Sequence, residues 1–294
     1  LLQFRGEGEI DPNAIPQRDA KTENVYPFYI GRLNPPHLYH LLSLFTAIFI
    51  ARKYGTKALF ILGGGRAKKE IENPLSDDLK WKFITSKLGE FGFEMGSDYE
   101  IAKLGYSNSQ LATFVKKESA SLPGSPVTVV HIGGDKSEPK SKGHFVLDVD
   151  KFLNPKGLFI LEGFPSATYK QAVIESGESR VSVIDEMGQQ TEGVMSASLL
   201  RKTACNCLKL NPGDHTAAFK QWVNIFRPMY KNDKLSRDVF DMISGVTCGV
   251  APPTLGGSRR KHTIRKLRNK KTFQRGLAGG RGRVVSRNQT KRRK

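Results

Sequence analysis

The chain has 294 residues and a formal net charge of +19, length enough for one full α/β domain with extensions or for two small domains. The charge is lopsided: sixteen Lys and Arg fall within 251–294, where Asp and Glu are absent, so only three of the nineteen net charges belong to residues 1–250. No apolar run reaches the roughly 18–20 residues that a spanning helix needs, so no membrane partner is expected, and three cysteines in so long a chain exclude a disulfide-framework scaffold.

In chain order, residues 1–24 are polar and turn-rich, with Gly6, Gly8, Pro12 and Pro16, and read as an extension. Val25 to Ile30 is an apolar, aromatic run that predicts a buried strand, and Gly31 closes it. A turn at Asn34-Pro35-Pro36 leads into a helix over about 37–53, with Pro36 suited to its first position. That helix is apolar almost all round, which predicts burial between a sheet and another layer. His37 and His40, three apart, share one face of its first turn, where unpaired backbone N–H groups and the helix dipole favour an anion. Two imidazoles there suit a phosphate that gains charge during a reaction.

Lys57 to Leu62 predicts a second strand, followed by Gly63-Gly64-Gly65, where missing side chains let backbone approach a ligand. Ser76 is placed to cap a helix running to about Leu88. Asn108 to Ser119 reads as a helix, and Val127 to Ile132 as a β-branched buried strand ending in Gly133-Gly134-Asp135. Gly157 to Leu161 and Arg180 to Ile184 are two further short strands. In Met195-Ser196-Ala197-Ser198-Leu199-Leu200-Arg201, Ser196 can cap a helix whose first-turn amides face an anion, and Arg201 can bring a guanidinium to the same oxygens. Residues 211–250 look helical and are expected to pack on the back of the domain. The tail at 251–294, basic and poor in apolar residues, is expected to be disordered. Cys205 and Cys207 lack the two-residue gap of a zinc knuckle and no second pair follows, so all three cysteines are expected to be reduced thiols in an intracellular, cytoplasmic setting.

Strands alternating with helices over 25–210 predict a Rossmann-like parallel sheet with helices on both faces. Right-handed crossovers would then align Gly31, the Gly63 run and Asp135 along one edge.

Gly31-Arg32-Leu33-Asn34-Pro35-Pro36-His37-Leu38-Tyr39-His40 resembles the Gly-Arg-Phe-x-Pro-x-His-x-Gly-His signature of the nucleotidyltransferase superfamily of cytidylyltransferases and nicotinamide-mononucleotide adenylyltransferases, with Tyr39 where the family has Gly. The 195–201 segment resembles its second signature, Ile-Ser-Ser/Ala-Thr/Ser-x-x-Arg. Asn73-Pro74-Leu75-Ser76 is similar to the Asn-Pro-Phe-Thr segment of archaeal-type members, which have Arg where this chain has Lys80. Gly213-Asp214 followed by Phe219 resembles phage and large-virus members, which would place the protein in a host cytoplasm or a virion.

The resemblance implies transfer of a nucleotide from a nucleoside triphosphate, accompanied by Mg²⁺, to a phosphorylated small-molecule acceptor, with release of pyrophosphate. It implies His37, His40 and Arg201 as catalytic groups and Gly31, Arg32, Gly63, Gly64, Asp135, Ser196 and Ser198 as nucleotide-binding ones. No carboxylate cluster argues for protein ligands to a metal. The alternative is a non-catalytic, basic structural or nucleic-acid-binding protein that reuses the fold, with 251–294 as its arm for a polyanion.

Overall fold

A computed structural model describes residues 4–5, 9–10, 15–62, 73–103, 107–134, 159–161, 164–174, 180–227 and 229–250. The chain divides after Pro253, and all the described residues lie in the first unit. The tail at 251–294 lies outside them.

In the N-terminal extension β1 (Phe4–Arg5) pairs antiparallel with β2 (Glu9–Ile10). The domain is built on β3 (Asn24–Gly31), buried at all eight positions, as a central parallel strand covered on both faces should be. Alternation along β3 sends Val25 and Tyr29 to one hydrophobic cluster and Tyr26, Phe28 and Ile30 to the other. After it come α1 (Leu38–Lys53), β4 (Ala58–Leu62), α2 (Asp77–Gly89), β5 (Tyr99–Lys103), α3 (Ser107–Ser119) and β6 (Val127–Gly134). Then follow β7 (Phe159–Leu161), β8 (Phe164–Ile174), β9 (Arg180–Ile184), β10 (Gln190–Val194), α4 (Ala197–Leu210), α5 (His215–Ile225) and α6 (Lys234–Val246).

The main sheet has the order β5-β4-β3-β6-β8-β7. Its first five strands are mutually parallel, and β7 pairs antiparallel with β8 at one edge. Helices α1 and α2 pack on one face together with α4, α5 and α6, and α3 packs on the other. The fold is therefore α/β and Rossmann-like. The direction of strand progression reverses between β3 and β6, and the crevice outside the carboxyl ends of such a pair is where open α/β sheets take ligands.

Three expectations change. Arg180–Ile184 forms a strand, but it pairs with β10 in a separate antiparallel hairpin rather than joining the main sheet. The side chains of the hairpin are largely exposed apart from Val183, so it lacks the two apolar faces that a central strand needs. Residues 211–250 do not merely back the domain: the rings of Trp222 and Tyr230 lie tilted with centroids 4.4 Å apart, Trp222 Nε1 donates to the Leu200 carbonyl at 3.1 Å, and the Tyr230 hydroxyl donates to the Pro36 carbonyl at 2.6 Å. This layer therefore reaches the turn before α1. Finally, Cys205 and Cys248 form a disulfide, and only Cys207 is a free thiol. The two half-cystines are 43 residues apart and meet only because α6 folds back on α4, a proximity that spacing along the chain does not show.

Candidate functional site: the turn between β3 and α1

Gly31 ends β3 where a Cβ would fall 2.5 Å from the ring of Tyr29, so the close approach this glycine permits is to its own neighbour. Leu33 follows in the left-handed region at φ 49°, with its side chain buried. A branched side chain in that region costs on the order of 1–2 kcal/mol and persists only where its surroundings hold it. Here they do. Asn34 is 4% exposed, its Nδ2 donates to Asn73 Oδ1 at 2.6 Å, and its Oδ1 accepts from the Leu75 N–H at 3.0 Å. Its backbone carbonyl accepts from Arg201 Nη1 of α4. With the Tyr230 bond to Pro36, this one turn gathers α1, α4, the segment before α2 and the chain before α6.

His37 is the N-cap of α1, in extended backbone, and His40 is the third helical residue. Pro36 therefore precedes the cap rather than opening the helix. The His40 ring folds back so that Nδ1 accepts the His37 N–H at 3.2 Å, and the two imidazoles lie with centroids 3.6 Å apart. Since Nδ1 of His40 is an acceptor, its ring proton sits on Nε2, which makes that nitrogen a donor. Tyr39 stands edge-on to His37, its ring centroid 6.1 Å away.

The other expected anion site is the start of α4. Ser196 is its N-cap, with Oγ accepting from the Leu199 N–H at 3.2 Å, so this hydroxyl serves the helix. Ser198 is exposed, and its Oγ accepts from Arg201 Nη2 at 3.3 Å. Because Arg201 also donates to Asn34, the start of α4 and the turn before α1 are joined by one side chain. The structure thus brings Gly31, Arg32, His37, His40, Ser196, Ser198 and Arg201 into one neighbourhood. Gly63, Gly64 and Asp135 lie outside the described residues, although β4 ends at Leu62 and β6 at Gly134, each immediately before them.

Lys80 lies near Arg32 of this set; the sequence singled out its position but did not show its burial. Its side chain on α2 is 0% exposed, and its Nζ lies 3.3 Å from Asp77 Oδ1, itself 41% exposed. Burial, offset in part by Asp77 and reinforced by the nearby Arg32 guanidinium, lowers its proton affinity below the usual lysine value. A signal was present: position 80 shares the buried face with Phe83, Ile84, Lys87 and Leu88. Burying an ammonium is costly unless a partner offsets it, and Asp77 is the carboxylate within hydrogen-bond reach.

Among the described residues no group of three or more His, Cys, Asp or Glu side chains is placed to hold a metal, and no helix is long and apolar enough to cross a membrane. The chain matches no family model, and no curated protein matches it.

Proposed function

We propose that the protein is a nucleotidyltransferase that moves a nucleotide from a nucleoside triphosphate to a phosphorylated small-molecule acceptor and releases pyrophosphate. The observation that carries this reading is the convergence of two helix N-termini, the paired histidines and Arg201 on the Asn34 turn, at the carboxyl end of β3. Such a reaction asks the protein mainly to position the triphosphate in line and to stabilise charge as the α-phosphate becomes five-coordinate. Nε2 of His40, together with His37, would donate to that phosphate. Arg32, Lys80 and Arg201, with the exposed Ser198 hydroxyl, would hold the β- and γ-phosphates and steady the leaving pyrophosphate. A donor set of cations and imidazoles fits Mg²⁺ carried by phosphate oxygens and water, with few ligands from the protein.

The test is pyrophosphate release across the four ribonucleoside triphosphates and a panel of phosphorylated acceptors, with His40→Ala as control. Release with one triphosphate–acceptor pair, lost in the variant, is the expected result. Absence of release from every pair, with no shift in melting temperature on adding any triphosphate with Mg²⁺, would refute the assignment.

A second reading rests on the charge of residues 251–294: sixteen cations and no acid suit a phosphate backbone and favour an arm for nucleic acid, on an enzyme or on a non-catalytic, virion-associated protein. Melting with ATP or CTP and Mg²⁺ separates the two, since only the enzyme is stabilised by nucleotide.

A further inference from the structure

We infer that Tyr230 is a positioning residue for the paired histidines, acting on the ring of His40 through the Pro36–His37 peptide. Tyr230 lies between α5 and α6, where its N–H donates to the Phe226 carbonyl at 3.2 Å. Its ring is wholly buried, with centroids 5.0 Å from Phe83 of α2 and 4.4 Å from Trp222 of α5. From there its hydroxyl reaches across 194 residues of sequence to the Pro36 carbonyl at 2.6 Å. Pro36 is buried, so its carbonyl needs a partner, and the hydroxyl supplies it. The other end of the same peptide gives the bond a second role: the His37 N–H donates to Nδ1 of His40 at 3.2 Å. The Pro36–His37 peptide is trans and planar, so its carbonyl and N–H point opposite ways.

One planar unit is thus gripped at both ends, by a phenol at the oxygen and an imidazole at the nitrogen. Rotating it to loosen one bond misaligns the other, so the tyrosine sets the direction in which the His37 N–H meets the His40 ring. Donation to the carbonyl also polarises the amide and makes its N–H a stronger donor, since hydrogen bonds in a chain reinforce one another in a low-dielectric interior. Nδ1 of His40 is held as an acceptor in this way, and the ring proton is held on Nε2. Burial raises the affinity of the Tyr230 hydroxyl for its proton well above the ordinary tyrosine value, so it stays a donor throughout the neutral range. His37 meets the same layer, lining a small cavity with Met195, Leu200, Phe226, Met229 and Tyr230. The joint between α5 and α6 therefore belongs to the site. The consequence for turnover rests on the nucleotidyltransferase reading, whereas the consequence for the His40 tautomer does not.

The experiment replaces Tyr230 with Phe in the full chain, which keeps the ring between Phe83 and Trp222 and removes only the hydroxyl. Tyr26→Phe is the control: Tyr26 is equally buried, and its hydroxyl donates to Asn24 Oδ1 at 2.9 Å toward the opposite end of β3. Proton–nitrogen correlation spectra of the imidazoles need no substrate. In the parent and in Tyr26→Phe they should show His40 with its proton on Nε2, and in Tyr230→Phe a mixture of the two tautomers. Turnover should fall about tenfold in Tyr230→Phe, with KM for the triphosphate within about twofold of the parent, and should not change in Tyr26→Phe. An unchanged His40 tautomer in folded Tyr230→Phe would overturn the inference and leave Tyr230 a partner for a buried carbonyl. So would a shifted tautomer with unchanged turnover in an active enzyme. Should Tyr230→Phe not fold, the parent decides, since absence of a scalar coupling between the His37 amide nitrogen and Nδ1 of His40 overturns the relay and its presence sustains it. If no triphosphate–acceptor pair reacts, the assignment of function falls while the spectra still decide on Tyr230.

Discussion

Replacing Lys80 with Met separates function from stability, because the two should move in opposite directions. The wild-type ammonium is wholly buried, and its carboxylate partner Asp77 is 41% exposed, so water can reach that carboxylate once the ammonium is gone. Methionine has nearly the same length, and it removes the desolvation cost without leaving a buried charge. Lys80→Met should thus unfold in urea at the same concentration as the parent or higher. Exchanges of buried ionic groups for apolar ones of like volume range from neutral to about 1–4 kcal/mol stabilising. The sign with pH is also determined. Folding lowers the proton affinity of Lys80 below its ordinary 10.5, so the unfolded chain binds more protons between the lowered value and 10.5. Stability should rise with pH through that window, and the variant should lose this component of the slope. Triphosphate binding should weaken instead. A charge-assisted bond to phosphate is worth about 1.5–3 kcal/mol, or roughly 10- to 150-fold in affinity, and titration calorimetry with a non-hydrolysable triphosphate and Mg²⁺ reads it directly. A variant that is less stable than the parent and binds triphosphate as tightly would refute the reasoning, since Lys80 would then be a structural cation.

His40→Ala should lower turnover by about a hundredfold or more, near 3 kcal/mol of transition-state stabilisation. It should also cost about 1 kcal/mol of stability, because the ring accepts the His37 N–H and caps α1; unchanged turnover in the folded variant would remove the residue from the mechanism. Asn34→Ala removes the partner of the buried Leu75 N–H and should destabilise by about 2–4 kcal/mol in urea unfolding, with a loss below half a kilocalorie showing that the turn is held by other contacts. Cys248→Ser opens a loop spanned by 43 residues of sequence separation, which on chain entropy costs about 4 kcal/mol against the oxidised parent; in excess reductant the two proteins should melt together. Truncation at 250 should abolish duplex binding whose affinity falls by roughly 0.9 log units per log of salt for each phosphate neutralised. Equal binding by the truncated chain, or no dependence on salt, would remove the arm.

Much of the fold was readable along the chain. The apolar runs at 25–30 and 127–132 became β3 and β6, and Ser76 and Ser196 cap the helices they were expected to cap. Each of these is a local matter: a run with no polar face must be buried, and a serine hydroxyl satisfies an orphan amide wherever a helix begins. The strands that escaped notice are those whose signal is weak. β5, Tyr-Glu-Ile-Ala-Lys, is a short edge strand with charged residues, and β8 carries Pro165 and Lys170 within eleven residues.

The sequence by itself determined the type of fold and brought His37, His40, Ser196 and Arg201 forward as candidates, because helix caps and strand ends are written in neighbouring residues. It could not show that Asn34 is the hub of the turn, since its partners come from Asn73, Leu75 and Arg201. Nor could it show that Tyr230 closes on Pro36, that Cys205 finds Cys248, or that Lys80 is buried near Arg32. Those facts depend on which helix faces which, and only the packing of α2, α4 and α6 around β3 and α1 decides that. A charge or thiol has no preferred partner until the chain has brought one within a few ångströms and excluded the water that would otherwise take its place.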